Sequence, residues 1–280
     1  MYRVLRKEPL GSSLYLFEVE APRIAKKAES GQFIIIRQCE NSERIPLTIA
    51  DYSREKGIIT IIFQAVGHST RKLAECEAGD TLTDVVGPLG VPSEIENYGT
   101  VVCIGGGVGI APVYPIARDL KKAGNKVISI IGARSSELLF WREKMAEASD
   151  ILHITTDDGS EGRKGFVSDV LKEILEQEKV ERVWAIGPMI MMKVTANTTR
   201  PFGVKTIVSL NPIMVDGTGM CGACRVAVGN ETKFACVDGP EFDAHAVDFD
   251  LAMKRAAFFK EKEQEAIAFG QSGGGCGCKK

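Results

Sequence analysis

The sequence predicts a mixed architecture: an antiparallel β-barrel, then a doubly wound parallel α/β domain, then a small cysteine-bearing module. Three observations carry this. Short β-rich stretches separated by turn residues run to about residue 95, strands alternate with helices from Asn97 onward, and cysteines bunch at positions 221, 224 and 236.

The barrel strands are expected at Ser13–Val19, Phe33–Arg37, Ile58–Gln64 and Thr81–Val86, with a further one around Arg44–Thr48 and one short helix at Ser69–Cys76 capped by Ser69 or Thr70. The period then changes. Strands at Val101–Ile104, Lys126–Gly132, Ile151–Thr155, Arg182–Ile186 and Lys205–Leu210 alternate with helices at Pro112–Ala123, Ser136–Ala148 and Val167–Glu178, the signature of a parallel sheet wound on both faces. Beyond the cysteine module, Phe249–Ala268 reads as one amphipathic helix, with Leu251, Ala252, Phe258 and Phe259 expected to pack on the body. The last residues, GQSGGGCGCKK, read as a flexible glycine-rich tail. The boundaries expected from these patterns are 1–96 for the barrel, 97–210 for the nucleotide-type domain, 211–240 for the cysteine module and 241–280 for the helix and tail.

Composition narrows the function classes. The 280 residues carry 35 basic and 37 acidic side chains, a net charge of -2, so no basic stripe for nucleic acid or an anionic membrane is expected. Asn97–Ala117 has no charge over a membrane-like length, but Gly105, Gly106, Gly107, Gly109, Pro112 and Pro115 would break a spanning helix there. With no apolar leader in MYRVLRKEPL, a cytoplasmic, reducing location is expected, where clustered cysteines mean metal or cluster ligands before disulfides.

The sharpest chemistry lies in Asp216-Gly-Thr-Gly-Met-Cys221-Gly-Ala-Cys224 with Cys236 further on. Plant-type 2Fe-2S sites space their first three ligands Cys-x4-Cys-x2-Cys, with a glycine-rich loop wrapping the core. Here the spacing is intact with an aspartate first, so Asp216, Cys221, Cys224 and Cys236 are the expected ligand set of a 2Fe-2S cluster. A zinc site on the same three thiols is the competing reading. Cys39, Cys76 and Cys103 are expected as inert core thiols, while Cys276 and Cys278 in the tail are either a metal or redox pair or without function.

Gly105, Gly106, Gly107 and Gly109 follow a buried strand and open a helix at Pro112, which lets backbone N–H groups approach a pyrophosphate. This places a dinucleotide on the first strand-to-helix crossover. The second strand ends in Gly132-Ala133-Arg134-Ser135-Ser136-Glu137, which mixes the features that favour a free ribose hydroxyl with those that favour a 2'-phosphate. In the barrel, Arg44, Thr48 and Gly67-His68-Ser69-Thr70 together offer a guanidinium, hydroxyls and a helix N-terminus to a flavin and its pyrophosphate; His68 reads as incidental.

The order of Pro46-Leu47-Thr48, Gly67-His68-Ser69-Thr70, GGGVGIAP at 105–112, Thr156-Asp157-Asp158-Gly159-Ser160, Gly187-Pro188-Met189 and the cluster loop resembles the ferredoxin–NADP reductase superfamily. Within it, the chain is similar to the branch of small subunits serving dihydroorotate dehydrogenase, sulfide dehydrogenase and the NADH-dependent reduced ferredoxin:NADP oxidoreductases. Asp216 and Gly239-Pro240-Glu241-Phe242-Asp243 incline it toward the last group. The resemblance implies FAD against Arg44, Pro46, Leu47 and Thr48, with Gly67, Ser69 and Thr70 near its phosphates and ring. Arg44 stands one position before the family's usual flavin arginine, where this chain has Ile45. It implies NAD(H), in preference to NADP, along Gly105, Gly106, Gly107 and Gly109, with Arg134, Asp157, Gly187, Pro188 and Met189 completing the site. No side-chain acid or base is implied, because the flavin carries out the hydride transfer. The implied partner is a larger subunit with a second flavin and 4Fe-4S clusters in a heterodimer, and through it ferredoxin and NADP(H), in an electron-bifurcating reaction. Alternatives are the electron-transfer subunit of a dihydroorotate dehydrogenase, sulfide dehydrogenase or hydrogenase, and, in a different class, a zinc-containing nucleotide-binding regulatory protein.

Overall fold

The computed structural model describes residues 2–271. Strands β1 (Tyr2–Pro9), β2 (Leu14–Glu20), β3 (Phe33–Arg37), β4 (Ile45–Ser53), β5 (Ile58–Gln64), β6 (Thr81–Leu82) and β7 (Asp84–Leu89) form one antiparallel sheet in the order β6-β1-β2-β5-β4-β3-β7, which curls into a nearly closed barrel. Helices α1 (Pro22–Lys27) and α2 (His68–Leu73) close its ends. Alternation explains the curl: Phe17, Val19, Ile34, Ile36, Ile49, Ile59, Ile61 and Phe63 all point into a shared interior. The expected strand over Thr81–Val86 is two strands, because the chain changes partner between β6 on β1 and β7 on β3.

The second sheet takes β8 (Thr100–Gly106), β9 (Lys126–Ala133), β10 (Ile151–Thr156), β11 (Arg163–Lys164), β12 (Arg182–Ile186) and β13 (Lys205–Ser209). Its order β11-β10-β9-β8-β12-β13 is parallel and reverses direction between β8 and β12, the doubly wound arrangement expected. Helices α3 (Ile110–Lys122), α4 (Arg142–Glu147), α5 (Val167–Gln177) and α6 (Met189–Thr199) cover its faces. The charge-free segment Asn97–Ala117 is thus strand β8 and the start of α3, and no helix among the described residues is long and apolar enough to cross a membrane.

Two helices differ from expectation. The helix expected over Ser136–Ala148 is a 3-10 turn at Ser136–Leu138 followed by α4, separated by Trp141 in the left-handed region at φ 54°. Trp141 keeps that geometry because its ring packs edge-on to Phe140 and Tyr114. The expected C-terminal helix is two, α7 (Phe249–Ala256) and α8 (Lys260–Gln271). Phe249 makes the body contact, whereas Leu251, Phe258 and Phe259 are exposed, Phe258 by 78%.

The cysteine module contributes a hairpin of β14 (Arg225–Val228) and β15 (Glu231–Phe234), after which β16 (Glu241–Asp243) adds antiparallel to β13 at the edge of the second sheet. It is therefore not an appendage. Val226, Cys224, Ala235, Cys236 and Phe242 share one core with Phe33 and Ile35 of the barrel and Ala185 and Val208 of the second sheet. Cys76 and Cys103 are buried thiols as expected; Cys39 instead lies half-buried in the bend after β3, its Sγ 3.0 Å from Ser42 Oγ. Cys276 and Cys278 lie outside the described residues.

Candidate functional site

The cluster loop is shaped by its own aspartate. Asp216 accepts hydrogen bonds from the Thr218 N–H (3.2 Å), the Thr218 hydroxyl (3.1 Å), the Met220 N–H (2.9 Å) and the Cys221 N–H (3.1 Å), and from the Cys221 thiol (3.3 Å). Desolvation acts to raise this carboxyl, but the bonds from Thr218 and Cys221 outweigh it and hold it down at about 2. Gly217, Gly219 and Gly222 all take positive φ (77°, 84° and 68°), which lets the loop curve back on itself. The second pair, Cys224 and Cys236, is buried with its sulfurs 3.2 Å apart, and burial plus the neighbouring Cys224 thiol push Cys236 up to about 12.

The four expected ligands therefore stand as two pairs, Asp216 with Cys221 and Cys224 with Cys236. A two-iron core needs two protein ligands on each iron, and this arrangement fits it. A single zinc ion needs its ligands converging on one point. Among the described residues no group of three His, Cys, Asp or Glu side chains does so.

The loop lies directly on the barrel. A Cβ on Gly217 would stand 2.8 Å from Leu89 and 2.9 Å from Ile35, and Ile35 pairs in register with Pro46. The strand expected to hold the flavin is thus one side chain away from the cluster loop. Arg44 donates from Nε to the Val215 carbonyl at 3.0 Å, the residue just before Asp216, so this nitrogen binds the cluster loop. Pro46, Leu47 and Thr48 lie half-buried in β4. Gly67 N-caps α2; its N–H donates to Thr70 Oγ1 at 3.0 Å, and the Ser69 hydroxyl donates to Glu43.

The nucleotide residues gather at the carboxyl ends of the parallel strands, but the glycines divide by role. Gly109 is required by packing, since a Cβ there would sit 2.1 Å from the Ile186 carbonyl, and Gly106 likewise would strike Met191. Gly105 is hemmed in by the Ile110 backbone at 2.8 Å. Gly107 is different: it has φ 54° and nothing within 4 Å, so its backbone faces open space at the mouth of the site. Gly107–Gly109 form a 3-10 turn that runs straight into α3 with no side-chain cap, and the Ile110 N–H is taken by the carbonyls of Gly107 and Val108 within that turn. Gly187 approaches Gly106 across the point where the strand order reverses, and Pro188 and Met189 lead into α6. Arg134 and Asp157, both exposed, follow β9 and β10, where Asp157 N–H donates to the Ala133 carbonyl and Asp158 N–H to the Arg134 carbonyl.

Two residues shape this region without a local signal of the part they play. Met191 of α6, which shapes the nucleotide turn, lies in a helix whose apolar pattern is weak. Glu241, whose carboxyl accepts from Ser93 Oγ (2.5 Å) and Trp184 Nε1 (3.3 Å), joins the inter-sheet linker, the second sheet and the C-terminal strand. Burial pushes it up to about 7, against the lowering pull of those two donors. In the sequence it stands in Gly239-Pro240-Glu241-Phe242-Asp243, where an acidic neighbour at Asp243 makes it look like one more surface carboxylate.

Comparison with known proteins agrees with this geometry. Residues 211–248 match the iron–sulfur cluster binding domain of dihydroorotate dehydrogenase B, and residues 103–197 match the oxidoreductase NAD-binding domain. The chain is 49% identical over 261 residues to the dihydroorotate dehydrogenase B (NAD(+)) electron transfer subunit homolog of Thermotoga maritima, covering 93% of this chain and 92% of that one. It is 31% identical over 250 residues to the dihydroorotate dehydrogenase B (NAD(+)) electron transfer subunit of Bacillus cereus strain Q1, covering 85% and 94%. This chain belongs to the dihydroorotate dehydrogenase B electron-transfer subunit family. A chain of the NADH-dependent reduced ferredoxin-NADP oxidoreductase, solved in work on flavin-based electron bifurcation, superposes with a TM-score of 0.93 at 46% identity, over 97% of this chain and 98% of that one. Membership makes the chain an NAD-binding, iron–sulfur oxidoreductase subunit, which displaces the zinc-containing regulatory reading.

Proposed function

We propose that this chain is the small iron–sulfur flavoprotein subunit of an electron-bifurcating complex, exchanging electrons among a larger partner subunit, its 2Fe-2S cluster, FAD and NAD(H). The observation that carries the reading is the packing of the cluster loop on the barrel strands β3 and β7, beside Pro46. It puts a one-electron site against the strand suited to a flavin. The 46% identity to a chain of a bifurcating enzyme, against 31% to the dihydroorotate dehydrogenase B electron transfer subunit of Bacillus cereus, supports this choice of complex over a dihydroorotate dehydrogenase.

In this reading Pro46, Leu47 and Thr48 seat the flavin ring, and Gly67, Ser69 and Thr70 border its phosphates. FAD held there would supply the exchange between hydride transfer with NAD(H) and single-electron transfer with the cluster. The open backbone at Gly107, where the 3-10 turn leading into α3 begins, binds the dinucleotide pyrophosphate, while Gly105, Gly106 and Gly109 give the turn its close packing. Gly187, Pro188 and Met189 border the nicotinamide side. Arg134 and Asp157 flank the adenosine side, with NAD(H) preferred to NADP. Asp216, Cys221, Cys224 and Cys236 hold the cluster. The partner is a larger flavin and 4Fe-4S subunit in a heterodimer, which handles ferredoxin and NADP(H).

The test is anaerobic purification of the full chain with its co-purifying partner, followed by flavin, iron, sulfide and subunit analysis. One FAD and one 2Fe-2S cluster per chain, flavin bleaching by NADH, and a larger flavin-containing partner are expected. A protein with stoichiometric zinc and no visible absorbance would sink the proposal.

A further inference from the structure

Three arginines from three different parts of the chain converge on the backbone of the cluster loop. Arg44, just ahead of β4, donates to the Val215 carbonyl at 3.0 Å. Arg225, opening β14, donates from Nη1 to the Gly222 carbonyl at 3.0 Å. Arg255, in α7, donates from Nη2 to the Ala223 carbonyl at 3.3 Å. The accepting residues are the one before Asp216 and the two between Cys221 and Cys224. None of the three guanidiniums forms an ion pair with a carboxylate among the described residues, unlike Arg37, Arg118, Arg142, Arg163 and Arg182. Their charge is therefore not cancelled where it meets the loop.

We infer that Arg44, Arg225 and Arg255 are positioning residues that hold the ligand loop and raise the reduction potential of its cluster. This rests on the 2Fe-2S reading of Asp216, Cys221, Cys224 and Cys236. One-electron reduction adds a negative charge to a site already held by four anionic ligands. A nearby fixed cation stabilises the reduced form more than the oxidised one, and charge together with hydrogen bonding around the ligands sets cluster potential. An arginine is suited to this, because it stays protonated while one of its nitrogens donates to a loop carbonyl. Arg44 has a second consequence. It belongs to the barrel, so the strand that faces the flavin and the loop that holds the cluster are joined by one of the residues that tunes the cluster.

The experiment is an EPR-monitored dithionite titration of the full-length protein, isolated anaerobically, for the wild type and for Arg44→Gln, Arg225→Gln, Arg255→Gln, the triple Gln variant and the three Arg→Lys variants, with iron and sulfide measured on each. Dithionite supplies the single electron that each cluster takes up. The Gln variants are expected to keep their cluster and to shift its midpoint to more negative potential, the triple variant furthest, while the Lys variants return toward wild type. Unchanged midpoints at full cluster content, or Lys variants no closer to wild type than Gln variants, overturn the inference. Loss of the cluster from Gln and Lys variants alike also overturns it, since that marks a purely structural anchor. Failure of the underlying 2Fe-2S reading shows separately, as wild-type protein without acid-labile sulfide or an EPR signal on reduction.

Discussion

Gly107 and Gly109 stand two residues apart in one motif and call for opposite outcomes. A methyl at Gly109 has nowhere to go beside the Ile186 carbonyl, so Gly109→Ala is expected to lower thermal stability by several kcal/mol, in the range of about 1–3 kcal/mol or more for overpacking. Gly107→Ala meets no atom and carries only the left-handed backbone cost of about 1–2 kcal/mol. It should retain the fold while weakening NAD(H) at least tenfold, as read by titration calorimetry beside a melting curve. At the cluster, Cys224→Ala should abolish iron and sulfide content. Asp216→Cys should retain a cluster with a changed visible spectrum, because a thiolate replaces a carboxylate. Both glycines and all four candidate ligands stand out in the sequence from spacing alone. The division of labour among the glycines does not, because it depends on which backbone lies across from each of them.

At the scale of elements, one carboxylate ties the barrel to two helices of the second domain. Asp51 of β4 receives Arg118 of α3 at 2.7 Å and Lys144 of α4 at 2.9 Å, while those cations lie over the rings of Tyr52, Tyr114 and Trp141. Burial acts to lower Arg118, but the hydrogen bond and charge of Asp119 and the charge of Asp51 raise it overall, so it stays a cation. Asp51→Asn keeps the size and removes the charge facing both partners. It should cost about 1–3 kcal/mol, measured by urea unfolding, with the effect diminished in an Asp51→Asn, Lys144→Gln double variant. The sequence indicated β4 and α3 separately. It gave no sign that Asp51, Arg118 and Lys144 meet, since their spacings of 67 and 93 residues carry no local signal. Element boundaries failed where tertiary packing overrode local preference, at Trp141 within an expected helix; the chain also breaks between α7 and α8, where Phe258 and Phe259 are exposed.

For the molecule as a whole, Glu241 is the joint. Its carboxyl meets Ser93 of the linker and Trp184 of the second sheet, and a Cβ on Gly31 of the barrel would lie 3.0 Å from it. Its value of about 7 stands above its ordinary 4.5, so the folded protein holds a proton that the unfolded chain releases. The resulting stability is full below about 4.5 and is lost as pH rises through about 7. Melting temperature should therefore fall between pH 5 and pH 8 in the wild type by more than in Glu241→Gln, with the variant the more stable of the two at pH 8 by roughly 2–4 °C for each kcal/mol involved. A pair of parallel pH profiles would contradict this assignment.

By itself the sequence indicated the order barrel, parallel sheet and cysteine module, and it marked four candidate cluster ligands and the glycine turn after β8, because each rests on short-range spacing: a period of two or of 3.6 residues, or a fixed ligand interval. Only the tertiary structure decided that the cluster loop lies on β3 and β7, that Arg44 reaches it from the barrel, and that Glu241 is shut away where the units meet. Those facts join residues 31 with 241, 44 with 215 and 35 with 217. Burial and charge across such separations are properties of packed surfaces, and no local pattern in the chain encodes them.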